Sequence, residues 1–217
     1  MSPRNTSIMG TPITRRPLLA LLGASALAPA LLPEAAMAQG NNDPRMADRF
    51  AGKDTARVTV LEYFSLTCPH CARFSKDVFP KIKEKLADTG QVKLVFRDYP
   101  LDQLALAAAQ VARALPTERY VPFVEALFAT QDRWAYTRGG SPFDELAKMA
   151  ALAGMSRASF NAAIADEALR SGVLAAQKDG ERRYNINSTP SFVIGGKTYS
   201  GEQSFEEFSR LVGNASA

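Results

Sequence analysis

Cysteine and histidine are nearly missing from this chain: 217 residues carry two cysteines and one histidine. That scarcity excludes a zinc site built within the chain, because structural zinc takes four ligands of these kinds. Long apolar runs are also missing. The longest, Leu18 to Leu32, is about fifteen residues and is broken by Gly23 and Pro29, short of the roughly twenty that a spanning helix needs. No cysteine lies in or just after that run, which excludes a lipid-anchored lipoprotein. No internal repeat or low-complexity segment follows it.

The run itself has the form of an export signal. Arg15-Arg16 precede it, and Ala36-Met37-Ala38 supplies a small-x-small cleavage pattern. Residues 1–38 are therefore expected to be removed, and Thr14-Arg15-Arg16-Pro17-Leu18-Leu19 resembles a twin-arginine signal. Cleavage takes away Arg4, Arg15, Arg16 and Glu34, leaving 23 basic and 21 acidic residues and a net charge of +2. This balance, with no basic stripe interleaved with aromatics, gives no footprint for nucleic acid. The remaining 179 residues suffice for one domain with its own core. An exported protein works in an oxidising compartment, where two lone cysteines are either a disulfide or a tool for making them.

All of the scarce residues fall in one tetrapeptide, Cys68-Pro69-His70-Cys71. Two cysteines at this spacing meet across one helical turn and can cycle between dithiol and disulfide. Metal bridging between molecules and a structural disulfide are the alternatives, although a bridge closing so small a loop constrains the unfolded chain little.

Around this motif the pattern alternates between strand and helix. Residues 39–54 are polar and read as a flexible lead-in. Arg57 to Phe64 reads as a central strand, apolar on both faces. After the motif, Phe74, Val78, Ile82 and Leu86 mark one helix face, with a kink expected at Pro80. Val92 to Phe96 completes a β-α-β unit with a right-handed crossover. Residues 101–184 keep a helical period, with starts at Ser141-Pro142 and Ser156; their aromatics, Trp134 included, read as core and interface rather than as a cofactor site. Ser191 to Ile194 and Lys197 to Tyr199 flank Gly195-Gly196, a two-residue hairpin turn. Ser204 can cap a last helix, with Glu207 at the capping-box position. The expected fold class is α/β, in the order β-α-β, helical block, β-β-α.

At the N-terminus of a helix, Cys68 meets unpaired backbone N–H groups and the positive end of the helix dipole, both of which favour a thiolate. His70 lies between the sulfurs and can add to that effect, or be an exposed turn residue. Cys71, one turn in, is the expected resolving thiol. Glu62 sits in the apolar strand, where a carboxylate is costly unless neutral or paired; it is either a proton relay to Cys71 or a strand-end group reaching solvent. Thr189-Pro190 enters the hairpin.

With Val60-Leu61-Glu62-Tyr63-Phe64-Ser65 leading into Cys68-Pro69-His70-Cys71, and Ser188-Thr189-Pro190-Ser191-Phe192 before the closing β-β-α, the chain resembles the DsbA-like branch of the thioredoxin superfamily over residues 55 to 213. The resemblance implies a thioredoxin fold in residues 55–100 and 185–213, with residues 101–184 as a helical subdomain between the second and third strands. It implies that Cys68 exchanges disulfides, that Cys71 resolves, and that Pro190 is cis beside the sulfurs with the Thr189 backbone pairing to client peptide. It implies a periplasmic oxidase of exported polypeptides, needing no cofactor and reoxidised by a quinone-linked membrane protein of the DsbB type. Thr189 departs from the Val of the best-known oxidases and matches disulfide isomerases. Only about eighteen residues after the signal precede the first expected strand, too few for a dimerisation domain, so a monomer is expected. An isomerase or reductase of the same fold is the alternative, and a copper(I) protein presenting two thiolates and an imidazole a more distant one.

Overall fold

In the computed structural model, residues 43–216 are described; the export signal expected at residues 1–38 lies outside them. The chain runs through a 3-10 turn (Pro44–Met46), β1 (Arg49–Gly52), β2 (Val58–Phe64), α1 (Pro69–Asp77), α2 (Phe79–Ile82), a π-helical turn (Lys83–Ala87) and β3 (Val92–Asp98). Six helices follow: α3 (Gln103–Ala114), α4 (Thr117–Ala129), α5 (Gln131–Trp134), α6 (Pro142–Leu152), α7 (Arg157–Ile164) and α8 (Glu167–Tyr184). The hairpin β4 (Ser191–Ile194) and β5 (Lys197–Ser200), then α9 (Phe205–Ala215), close the fold.

The sheet has the order β1-β3-β2-β4-β5. β2 and β3 are parallel, and every other pairing is antiparallel. β2 is apolar on both faces because both are covered, Val60 and Phe64 lying in the main core and Tyr63 in a second cluster against α8. The β4–β5 turn places Gly195 and Gly196 at φ +58° and +77°, the pair of positive values that a two-residue hairpin matching strand twist requires. Phe74 of α1 packs on Phe192 of β4 at 4.7 Å between ring centroids, with Phe208 of α9 behind them. Ser204 caps α9, its hydroxyl accepting from the Glu207 N–H at 3.1 Å.

One expectation needs correction. Part of the supposed flexible lead-in is ordered: Arg49–Gly52 forms an edge strand antiparallel to β3, with Arg49 and Ala51 buried on its inner face. An arginine at an inward position concealed the alternation, since arginine is rarely buried. The interruption expected at Pro80 is present: α1 stops at Asp77, and Val78, at φ −115° and ψ −45°, is both its C-cap and the N-cap of α2. Pro80 lacks an N–H and its ring obstructs the carbonyl four residues earlier, so it serves in the first turn of a new short helix instead.

The helical block joins the sheet through a buried ionic group. Asp98 at the end of β3 accepts from Arg113 Nε at 2.5 Å and from the Tyr120 hydroxyl at 3.0 Å. Arg113 also donates to the carbonyls of Arg45 and Ala47. Nε and Nη1 thus have partners, the kind of support a buried pair requires. The group fixes α3 and α4 relative to the sheet edge, and α4 in turn lies against α1.

Candidate active site at the Cys68–Cys71 turn

β2 ends at Phe64, and the chain turns so that the Cys68 N–H reaches the Ser65 carbonyl at 3.0 Å. Cys68 is the N-cap of α1 in extended conformation (φ −80°, ψ 121°), and Pro69 occupies the first helical position. Proline has no N–H, so the donors directed at the Cys68 sulfur are the backbone N–H groups of His70 and Cys71. The thiol itself donates to the Thr189 carbonyl at 3.3 Å. Cys68 is 5% exposed and Cys71 wholly buried, and the two are free thiols.

The two sulfurs have opposite acid–base character. The hydrogen bond from the Cys71 side chain, then those from Thr189 and the two backbone N–H groups, bring the Cys68 thiol down to about 5 against the opposing cost of burial. Burial, and then the hydrogen bond to Cys68 and its charge, push the Cys71 thiol well above its ordinary value. Below that, Glu62 is 3% exposed, between Phe96 and Phe192 in register, and among the described residues burial alone acts on its carboxyl. Burial raises it to about 8, so it is neutral at pH 7. The reading of Glu62 as a strand-end group reaching solvent is therefore wrong. Its charge, when present, bears on Cys71, which places it near the inner sulfur.

Thr189 faces the outer sulfur. The Thr189–Pro190 peptide bond is cis. The Thr189 hydroxyl is buried and, among the described residues, has no hydrogen-bond partner, while the Cys68 thiol donates to the Thr189 carbonyl. Once Cys68 ionises, its sulfur is an acceptor within reach, consistent with Thr189's share in lowering the Cys68 pKa.

His70 corrects its expectation. Its side chain is 62% exposed and turned to Glu202, with Nδ1 2.5 Å from Glu202 Oε1. Its contribution to Cys68 comes from its backbone N–H; no hydrogen bond joins the ring to either sulfur. An imidazole so placed is not aligned with the two thiols as a third ligand for copper. Among the described residues, no group of three or more His, Cys, Asp and Glu side chains is arranged to hold a metal ion.

Three supports escaped the sequence reading. Gln131 of α5 donates to the carbonyls of Leu66 and Cys68 at 2.8 and 3.1 Å. The Tyr136 hydroxyl donates to the Thr67 carbonyl. Asp102, the N-cap of α3, accepts from Ala105 N–H and from the Thr67 hydroxyl, both at 2.7 Å. The Asp102 cap was visible as a helix-start signal. Gln131 and Tyr136 are single polar residues sixty or more positions from the motif, with no local signal to mark them.

Residues 45–214 match the family model described as thioredoxin. The crystal structure of alpha-DsbA1 from Wolbachia pipientis superposes with a TM-score of 0.72 at 30% identity, covering 78% of this chain and 91% of that one. The chain belongs to the DsbA-like branch of the thioredoxin superfamily. DsbA of Bordetella pertussis, a thiol:disulfide interchange protein, is 29% identical over 88% of this chain and 87% of its own length. A putative protein-disulfide oxidoreductase of Rickettsia conorii is also 29% identical, over 77% of this chain. The chain spans about 60% of the length of that relative. In this chain the site is carried by β2, α1 and the segment entering β4.

Proposed function

We propose that this protein is a periplasmic thiol:disulfide oxidoreductase that passes a Cys68–Cys71 disulfide to newly exported polypeptides. The observation that carries the reading is the opposite treatment of two adjacent thiols, one held as thiolate and the other as thiol. A client thiolate attacks Cys68 Sγ of the disulfide, and Cys71 leaves. The departing sulfur sits in a buried site that disfavours its charge, and neutral Glu62 is the nearby group able to give it a proton. A second client thiolate then attacks the client's own sulfur in the mixed disulfide, and Cys68 leaves as the stable thiolate. The client loses two electrons and the protein gains them. A low-pKa leaving group speeds that last step and makes the disulfide the better oxidant.

In this reading residues 1–38 direct export, residues 101–184 are a helical subdomain beside a thioredoxin-fold domain, and the mature protein is a monomer. A quinone-linked membrane protein of the DsbB type restores the disulfide. Thr189 favours a second reading, disulfide isomerase, because a hydroxyl that holds the Cys68 thiolate also suits a protein kept reduced. One experiment separates them. The purified disulfide form is mixed with a reduced, unfolded client, and the reduced form with a scrambled one. Rapid loss of client thiols in the first mixture, with an oxidised pair found in the cell, supports the oxidase. Recovery confined to the second mixture, with a reduced pair in the cell, overturns it.

A further inference from the structure

Beside the sulfurs lies a charged cluster that neither disulfide exchange nor proton transfer uses. His70 and Arg73 are three residues apart on α1 and so share a face. Both converge on Glu202, in the segment joining β5 to α9. Arg73 Nη2 and Nε lie 2.7 and 3.1 Å from Glu202 Oε1, and His70 Nδ1 lies 2.5 Å from the same oxygen. The same Nδ1 is 2.6 Å from Arg73 Nη2. A protonated Nδ1 donates to Glu202, and a bare one accepts from Arg73; no single state does both. One carboxylate therefore serves two groups that could otherwise turn toward the active-site sulfur.

We propose that Glu202 is a positioning residue that restrains the oxidising strength of the Cys68–Cys71 pair, by offsetting the Arg73 charge and holding the His70 ring away from Cys68. The inference rests on the oxidoreductase reading above. Arg73 is held in its charged form first by Glu202, with lesser help from Asp77 and the Cys68 thiolate. Attraction between two sites is mutual, so the guanidinium also favours the Cys68 thiolate. Glu202 opposes this effect, being an anion bonded directly to the Arg73 guanidinium. A thiolate favoured less strongly makes a weaker oxidant.

The competing explanation is that the ion pair merely fastens the β5–α9 segment to α1. The two differ in sign. Loosening a fastener by either end disturbs the site in one direction, whereas removing opposite charges moves the thiolate in opposite directions. The test uses Glu202→Gln and Arg73→Met in the full mature chain, with unfolding midpoints as a check on folding. Cys68 is titrated by thiolate absorbance, and the pair is equilibrated with glutathione. Because the cluster is exposed, each charge is worth roughly a two- to five-fold change in the thiol–thiolate equilibrium. Glu202→Gln should shift it toward thiolate and make the couple more oxidising. Arg73→Met should do the reverse, and 1 M salt should shrink both shifts. Shifts in the same direction, or none, overturn the inference. A wild-type pair that does not exchange with glutathione at all would instead overturn the proposed function.

Discussion

Reducing the disulfide should make the folded protein more stable relative to its oxidised form as pH rises from 5 to 9. The cause is Cys68, whose pKa falls from 9.0 in an unconstrained thiol to about 5 in the fold. A group with a depressed folded pKa contributes stability fully above its unfolded pKa and loses it as pH falls through the folded one. Below pH 5 the contribution is absent, and it then grows by about 1.4 kcal/mol per pH unit. At pH 7 two such units have accumulated, or about 2.7 kcal/mol, equivalent to roughly 60 mV in a two-electron couple. Screening at the rim of the site lowers this value without changing its sign. Cys71, raised in the fold, is a neutral thiol in both states from pH 5 to 7. The loop-closure effect of the disulfide on the unfolded chain does not depend on pH, and Glu62 titrates in both redox forms. The difference between the forms therefore isolates Cys68. Urea unfolding of oxidised and reduced protein at pH 5, 6 and 7 measures it. A difference that stays constant across these three values refutes the reasoning.

Other outcomes follow from the same site. Thr189→Val removes a hydroxyl that can donate to the thiolate; it should retain client oxidation but raise the Cys68 pKa and lower the potential by about 10–30 mV, as read from the glutathione equilibrium. Glu62→Gln removes a carboxyl whose burial costs free energy as pH rises from 4.5 toward 8. It should stabilise the protein by up to about 3 kcal/mol at pH 7 and by nothing at pH 4, while slowing formation of the mixed disulfide. Gln131→Ala leaves the Leu66 and Cys68 carbonyls without that donor, and calorimetry should show a loss of about 1–3 kcal/mol.

How much of this could be read from the chain differs between local and distant features. Cys68 and Cys71 declared themselves because their types occur nowhere else, and the N-cap position follows from a strand running straight into Pro69. Gly195-Gly196 and Ser204 carry backbone requirements in their own composition. β1 was hidden because its inward arginine is held in the interior by tertiary packing. The interruption by Pro80 was legible, and it falls at Val78 because a proline's steric effect lies on the preceding turn. Partners distant in sequence were the least legible. His70 lies against a carboxylate 132 residues away, and no local pattern foretells which way its ring turns. Glu62 was recognisable as a misfit in an apolar strand, but only the flanking strands show that it is buried rather than reaching solvent.

The central claim is that Cys68 forms the bond to clients and Cys71 resolves it. Its most direct test expresses Cys71→Ser and Cys68→Ser forms of the full chain in a bacterial periplasm and isolates disulfide-linked complexes. Cys71→Ser should hold exported polypeptides through Cys68, with the complexes released by reductant, and Cys68→Ser should hold almost none. Complexes formed through Cys71, or none with either form while the wild type oxidises clients, would contradict it.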